Sequence, residues 1–368
     1  MSRVRIGLIG YGSWAERVHI PSIALSANAE LAAVAGPDAA RAEAMARQHG
    51  ARYGASDPLT VIGDPSIDAV LVCSPNDAHP AAVLAAAAAG KHVLCEKPLA
   101  RTLAEARGMA EAVRSAGVRH MTAFTWRHVP AARLMRDLAA AGEIGRLLHA
   151  EAHFLHGGWL KLDARRPWRF DRRRMGSGIL GDLGVHVFDL LAWMAGRPIS
   201  RACARLATLA PQPGTPGQPP VFDDGHLLLE FAPDGAGAPP AAGVRISRVA
   251  VSSSQPPFPE MHQGVALYGE TGALLYDLHR HSQVELRRPK APARLIDAPD
   301  PLPATDDEGT ITREIGRRQI EAFAQGVLSG AAIQPSFEDG LRAQAVMDAA
   351  ERAHDAGAWA AAEAVEAA

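Results

Sequence analysis

Val4-Arg5-Ile6-Gly7-Leu8-Ile9-Gly10-Tyr11-Gly12-Ser13-Trp14-Ala15 runs an apolar strand into a glycine turn and then into a helix. The match to G-x-G-x-x-[GA] gains its meaning from that setting. Gly10 makes the tight turn, Gly12 lets backbone approach a pyrophosphate, and Ala15 allows close packing of helix on strand. The first free N–H groups of the helix, around Ser13 and Trp14, then point at an anion. A dinucleotide is the expected ligand, and a parallel α/β sheet the expected frame.

Outward from this turn the chain keeps one rhythm to about residue 124. Strands are expected at Val4–Ile9, Glu30–Ala35, Ala69–Cys73, His92–Cys95 and His120–Phe124. Alanine-rich helices at Ala39–His49, Ala78–Ala89 and Leu103–Ala116 stop at Gly50, Gly90 and Gly117, the residue type that ends helices. Strand and helix alternating in this way give a doubly wound sheet with its ligand beyond the carboxyl ends of the strands. Past Phe124 the pattern changes to a helix near Ala131–Ala141, a strand near Arg146–Phe154 and an Arg- and Trp-rich stretch to Met175. Short strands follow at Leu227–Phe231, Val244–Val251, Val265–Tyr268 and Ala273–Asp277, between Pro- and Gly-rich loops. They suit an antiparallel sheet, and a closing pair of helices, Ile311–Ser329 and Phe337–Ala356, is expected to pack on it. The reading is therefore α/β plus α+β: a Rossmann domain over 1–124, and over 125–368 a domain with a large, open-faced, mainly antiparallel sheet flanked by helices.

Bulk properties narrow the partners. The 368 residues are 48% hydrophobic and 21% charged, a globular composition. A net charge of -2 supplies no field to hold nucleic acid or an anionic membrane, so small molecules are favoured. Cys73, Cys95 and Cys203 have neither disulfide nor metal spacing, and no export signal or spanning run of about 20 apolar residues is read. The expected location is the cytoplasm. Lysine occurs only at 91, 97, 161 and 290, so each one stands out among the arginines.

An acidic residue at the end of the second strand would bind the 2′-OH of NAD. Here the sequence is Ala35-Gly36-Pro37-Asp38. Asp38 lies just past the strand and Arg41 is a candidate for a 2′-phosphate, while Asp38 equally suits a helix cap. The cofactor is read as NAD(H) or NADP(H), with the choice open.

Three more segments carry chemistry. Ser74-Pro75-Asn76-Asp77-Ala78-His79 follows one strand, Gly90-Lys91-His92-Val93-Leu94-Cys95-Glu96-Lys97-Pro98-Leu99 contains another, and Gly181-Asp182-Leu183-Gly184-Val185-His186-Val187-Phe188-Asp189 opens a helix expected over Leu183–Met194. An ammonium such as Lys97 has a pKa that burial and neighbours can lower, and Glu96 and Pro98 orient it. Asp182 and His186 are four apart, so on a regular helix they share one face, with Asp189 three further on. A carboxylate beside an imidazole suits a group that takes a proton near neutral pH. The three segments together resemble the Gfo/Idh/MocA oxidoreductases, over residues 4 to about 195 and more loosely to the end. The resemblance implies that Ser74, Pro75, Asn76, His79, Glu96, Lys97 and Pro98 join Gly10, Gly12, Ser13, Trp14, Ala15, Asp38 and Arg41 around the cofactor. It also implies that Lys97, Asp182 and His186 are catalytic and that the substrate is a sugar, inositol or related polyol.

The expected chemistry is hydride transfer between nicotinamide and a carbinol carbon, with no metal. His186 takes the hydroxyl proton, Lys97 stabilises charge on that oxygen, and Asp182 orients. Arg127, His128, His156, Trp159, Trp168 and Arg169 are candidates to line the substrate side, whereas Arg165, Arg166, Arg172, Arg173 and Arg174 read as a solvated basic loop. His149, His153 and His156 do not align as a zinc set on a strand. Two other functions fit the same fold: a non-catalytic NAD(P)-binding sensor, and an NAD-dependent glycosidase that oxidises its substrate transiently. An open antiparallel sheet is commonly covered by another copy, so a homodimer or homotetramer is expected.

Overall fold

The computed structural model describes residues 3–157, 167–210, 212, 219–233, 247–252, 262–305 and 307–365. It divides into two compact units, one running to His128 and including Pro303–Leu341, the other formed by Val129–Leu302 and the chain from Arg342.

In the first unit, six parallel strands take the order β3-β2-β1-β4-β5-β6: β1 Val4–Ile9, β2 Ala29–Ala35, β3 Tyr53–Ala55, β4 Ala69–Val72, β5 His92–Cys95 and β6 His120–Thr122. The sequence pattern anticipates five of these and misses Tyr53–Ala55, whose three residues are too few to show a period. Alternate residues of β1 serve opposite faces, as a period of two requires. Val4, Ile6 and Leu8 pack with helices Ile20–Leu25 and Ala39–Gln48, while the Gly7 backbone meets Val61 and Ile67 on the other side. Both faces being covered explains the unbroken apolar strands.

A single boundary at residue 124 does not describe the chain. Helix Glu308–Ser329, expected on the second sheet, packs on the first, with Ile320, Phe323 and Ala324 in the same core as Ile6 and Leu8. Ile311, Ile315, Ile320 and Phe323 are buried along it, and Gly316 lets it approach Ser22, whose Oγ donates to the Arg313 carbonyl at 2.9 Å. The segment after it covers the exposed side of β6: Thr122 N–H donates to the Pro335 carbonyl at 3.0 Å and Thr122 Oγ1 to the Ser336 carbonyl at 2.8 Å. An edge strand needs such a cover, and the sequence rules that locate a helix do not say which sheet it returns to.

The second unit holds nine strands in the order β14-β13-β12-β11-β7-β10-β9-β8-β15. They are β7 Leu147–Leu155, β8 Ile199–Ala207, β9 Asp224–Phe231, β10 Ser247–Ser252, β11 His262–Gly269, β12 Ala273–Asp277, β13 Gln283–Arg287, β14 Arg294–Asp297 and β15 Ala360–Ala361. All neighbours are antiparallel except β7 with β10. On β7, Ala150, Ala152 and Phe154 are buried and their neighbours are half-buried, the alternation of a sheet with one covered face. Helix Val185–Ala195 contacts that strand and helix Pro130–Ala140. Arg172–Ala195 is the one helical stretch among the described residues long and apolar enough to cross a membrane, and 78% of its apolar window is buried inside the fold, as in a core helix.

Phe323→Ala is expected to cost about 3–5 kcal/mol, the range for removing a buried aromatic ring. Urea unfolding followed by circular dichroism checks this through a lowered midpoint at unchanged slope.

Candidate active site

All six strands of the first sheet run the same way, so the segments leaving β1, β2, β4 and β5 lie at one end of it. Gly10 has φ 94°, and a Cβ there would lie 2.6 Å from the Cys73 carbonyl oxygen, so the turn accepts only glycine. Gly12 differs. It is exposed, as is Ser13, and a Cβ on it would meet nothing of the protein within 4 Å. Packing therefore does not require a glycine there, whereas close approach of a ligand does. Ala15 is fully buried, and Trp14 packs against the core. Between turn and helix lies a π-turn, Ala15–His19, in place of regular helix.

At the end of β2, the ring of Tyr11 fills the room a side chain on Gly36 would need: a Cβ there would be 2.0 Å from Tyr11 Cε1. The Tyr11 hydroxyl donates to the Asp38 carbonyl at 3.1 Å and accepts from the Asp38 N–H at 2.9 Å. Asp38 Oδ1 in turn accepts from the Arg41 N–H at 3.1 Å, so the capping role is the one its carboxylate performs. The Arg41 guanidinium lies 4.8 Å over the Tyr11 ring and is ion-paired with Glu16.

After β4, Asn76 is buried, and Ser74 Oγ is a buried hydroxyl with no hydrogen-bond partner among the described residues. Orphaned hydroxyls are uncommon, and one at the carboxyl end of a strand suits a bound ligand. The turn, the open Gly12 and this hydroxyl together fit a dinucleotide. His79, expected among the cofactor contacts, is instead wholly buried: Nδ1 lies 3.1 Å from the Pro98 carbonyl oxygen and 3.2 Å from that of Leu99, and Nε2 3.0 Å from that of Ser74. Burial lowers its pKa. It ties two strand-end segments together through their backbones.

After β5, Glu96 is buried and Lys97 half-buried. Glu96 Oε1 is 2.7 Å from His19 Nε2, and Oε2 accepts from the Lys97 N–H at 3.1 Å. With Cys73, these groups form a compact set of possible metal donors. A tetrahedral metal with bonds near 2.0–2.1 Å holds its ligands roughly 3.3 Å apart, so the 2.7 Å pair is bridged by a proton. Burial also pushes the Cys73 thiol well up, away from the thiolate a metal needs.

In the second unit, the expected regular helix over Leu183–Met194 is preceded by a π-turn, Leu180–Gly184, and its α-helical part is Val185–Ala195. Asp182 thus lies in the π-turn and His186 in the α-helix, and simple four-residue helical spacing does not relate them. Gly181 and Gly184 weaken the regular ladder here. Gly178, at φ 57°, brings the chain so close to the Phe222 carbonyl that a Cβ would be 2.4 Å from its oxygen. Asp182 Oδ1 accepts from Arg169 Nη1 at 2.9 Å, and that guanidinium lies 4.9 Å over the Trp168 ring. His186 is 7% exposed, with its ring 6.1 Å from that of Phe154, and Asp189 is buried on the same helix. His156 is half-buried with its ring 6.4 Å from that of Phe154.

Arg127, expected on the substrate side, is buried in the first unit, 3.2 Å from the Asp339 carboxylate. A guanidinium buried in that way serves the fold that joins the Thr125–His128 turn to the Ser336–Asp339 segment. His128 is buried as well. Arg172 lies 5.1 Å over Phe222 and Arg173 3.1 Å from Asp171, while Arg165, Arg166 and Trp159 lie outside the described residues.

Comparison with known proteins settles the kinship. Residues 4–124 match the model of an oxidoreductase family with an NAD-binding Rossmann fold, and residues 132–275 match the GFO/IDH/MocA C-terminal domain. The chain belongs to the Gfo/Idh/MocA oxidoreductase family. It is 29% identical to levoglucosan dehydrogenase of Pseudarthrobacter phenanthrenivorans, over 95% of each chain. With inositol 2-dehydrogenase of Rhizobium meliloti it shares 27% identity, over 95% of this chain and 96% of that one. A solved levoglucosan dehydrogenase in complex with NADH and levoglucosan matches with a TM-score of 0.87 at 26% identity, covering 99% of this chain and 100% of that one. Like its relatives, this family member is an NAD(P)-dependent oxidoreductase.

Membership sharpens what sequence reading missed. The place where a dinucleotide-binding fold commonly carries an acidic residue, the end of β2, is Gly36 here, and the Tyr11 ring fills the room a side chain would need. A bulky residue directly after Gly10 and a glycine where an acid is usual were both visible, but not that one compensates for the other. His19 gave no signal, since its partner lies 77 positions away.

Gly12→Ala is expected to leave thermal stability unchanged and weaken NADH binding at least about tenfold, since the methyl group meets only the ligand. Fluorescence titration with NADH and a thermal melt check the two halves.

Proposed function

We propose that this chain transfers a hydride between NAD(P) and a carbinol carbon of a sugar, inositol or related polyol. Lys97, Asp182 and His186 act on the reacting hydroxyl. The nicotinamide, when bound, supplies the hydride acceptor or donor. The observation that carries the reading is Lys97 itself, a half-buried ammonium at the carboxyl end of β5 in a run of buried neighbours, with its N–H held by Glu96 and the carbonyls of the next two residues, Pro98 and Leu99, held by His79. That end of a doubly wound sheet is where dinucleotide and substrate bind.

The chemistry asks for three things. An alcohol losing hydride must lose its proton too, and the imidazole of His186, on a rigid buried helix, takes it. Negative charge developing on the oxygen needs a donor already in place, which is the Lys97 ammonium. Asp182, directed by Arg169, accepts from substrate hydroxyls or from the imidazole. Trp168, under the Arg169 guanidinium, offers an aromatic face of the kind that binds the apolar side of a sugar ring. Sugar or polyol as substrate is also what the relatives act on by name: levoglucosan dehydrogenase and inositol 2-dehydrogenase. The cofactor remains NAD(H) or NADP(H), and a homodimer or homotetramer in the cytoplasm is the proposed state.

A panel of anhydrosugars, inositols, aldoses and polyols with NAD and with NADP, followed by reduced-nicotinamide absorbance, tests the class. Turnover of at least one is expected, and net oxidation separates a dehydrogenase from a sensor and from a glycosidase that returns its hydride. On the best substrate, Lys97→Ala and His186→Ala are each expected to lower kcat about 10²- to 10⁴-fold, the range for loss of acid–base and charge-stabilising groups. Wild-type turnover by either variant contradicts its role.

A further inference from the structure

We infer that His19 is a positioning residue for Lys97, acting through the Glu96 carboxylate that bridges the His19 ring and the Lys97 backbone. The inference rests on the role given to Lys97 above. Each oxygen of Glu96 has its own partner: Oε1 lies 2.7 Å from His19 Nε2, and Oε2 accepts from the Lys97 N–H at 3.1 Å. A carboxylate only accepts, so the proton between ring and acid belongs to Nε2. His19 has 0% exposure, and its Nδ1 is buried without a hydrogen-bond partner among the described residues. An apolar side chain would fill the same space without burying an open nitrogen, which costs stability. The polar ring is thus explained by its contact with Glu96 and not by packing.

The surroundings make that contact matter. Glu96 is faced by His19 from the π-turn Ala15–His19, Cys73 after β4, His79 from the helix His79–Ala88, Cys95 on its own strand, and Lys97. Burial raises the thiols and lowers His79, leaving these three uncharged. Burial alone would also raise Glu96, yet the His19 hydrogen bond, with Lys97, holds it below the ordinary carboxylate range. Glu96 is therefore a buried anion next to the Lys97 ammonium, and His79 holds the Pro98 and Leu99 carbonyls on the far side. His19 closes the π-turn Ala15–His19, which follows the Gly10–Gly12 cradle directly. The residue that fixes the lysine backbone through Glu96 thus lies in the turn that follows the proposed phosphate cradle, outside the cradle itself.

The test uses the full-length enzyme with its best alcohol substrate and compares His19→Leu, His19→Gln and Lys97→Ala. His19→Leu is expected to lower kcat about 10- to 100-fold, as misplacement of a reacting group does, with NADH binding by fluorescence titration unchanged. Its kcat profile is expected to lose its acid side at higher pH, because Glu96 without its donor takes up a proton sooner. His19→Gln, whose amide N–H reaches the same carboxylate, is expected to restore most of kcat and the wild-type profile. If His19→Leu does not fold, His19→Asn, whose shorter amide does not reach Glu96, replaces it with the same expected result. Wild-type kcat and pH profile in His19→Leu, with Lys97→Ala inactive, overturns the inference and leaves the lysine's role standing. Equal losses in His19→Leu and His19→Gln with no change of profile overturn it too, as a packing effect. Full activity in Lys97→Ala overturns the lysine's role and the inference with it.

Discussion

Parallel strands all release the chain at the same edge, and the first unit is organised by that constraint. In the order β3-β2-β1-β4-β5-β6, direction of travel reverses between β1 and β4, leaving a crevice where the two halves of the sheet diverge. The glycine turn after β1, Gly36 after β2, Ser74 after β4 and Lys97 after β5 therefore meet at one end although they are far apart in sequence. The ladder keeps them in register: Gly10 N–H donates to the Ala35 carbonyl at 2.8 Å, Cys73 to Ile9 at 2.8 Å and Glu96 to Val72 at 2.9 Å. The strands supply rigidity, and the groups proposed to bind and react in this unit sit one or two residues beyond it.

Burying charge at that edge is costly unless each charged atom has a partner. Glu96 meets this condition with His19 on one oxygen and the Lys97 amide on the other. Arg127 and Asp339 meet it in the same unit, 3.2 Å apart, where the returning segment covers β6. Such pairs contribute modestly to stability, but losing one partner strands the other in a low-dielectric interior, so they fix geometry strongly.

In the second unit an antiparallel sheet with one covered face supports a helix that begins irregularly. A π-turn spreads one extra residue over the turn, and such turns recur at functional sites because they re-aim side chains on an otherwise rigid rod. Both units place one beside residues with proposed chemistry: Ala15–His19 after the phosphate cradle and Leu180–Gly184 at Asp182. Arg169 and Trp168 then fix the direction of the Asp182 carboxylate.

The sequence by itself determined what local rules control. Gly10 and Gly12 announced a ligand turn, apolar runs of four to seven residues announced the buried strands, and caps such as Asp38 and the terminal glycines set helix ends. Family motifs named Lys97, Asp182 and His186. Tertiary structure alone decided that Tyr11 fills the place of the residue missing at Gly36, that helix Glu308–Ser329 returns to the first sheet, and that His79 and Arg127 are buried as supports. It alone joined His19 to Glu96 across 77 positions. Periodicity and capping act over a turn or two of chain, whereas these contacts exist only after separate elements have packed, so no short window of sequence contains them.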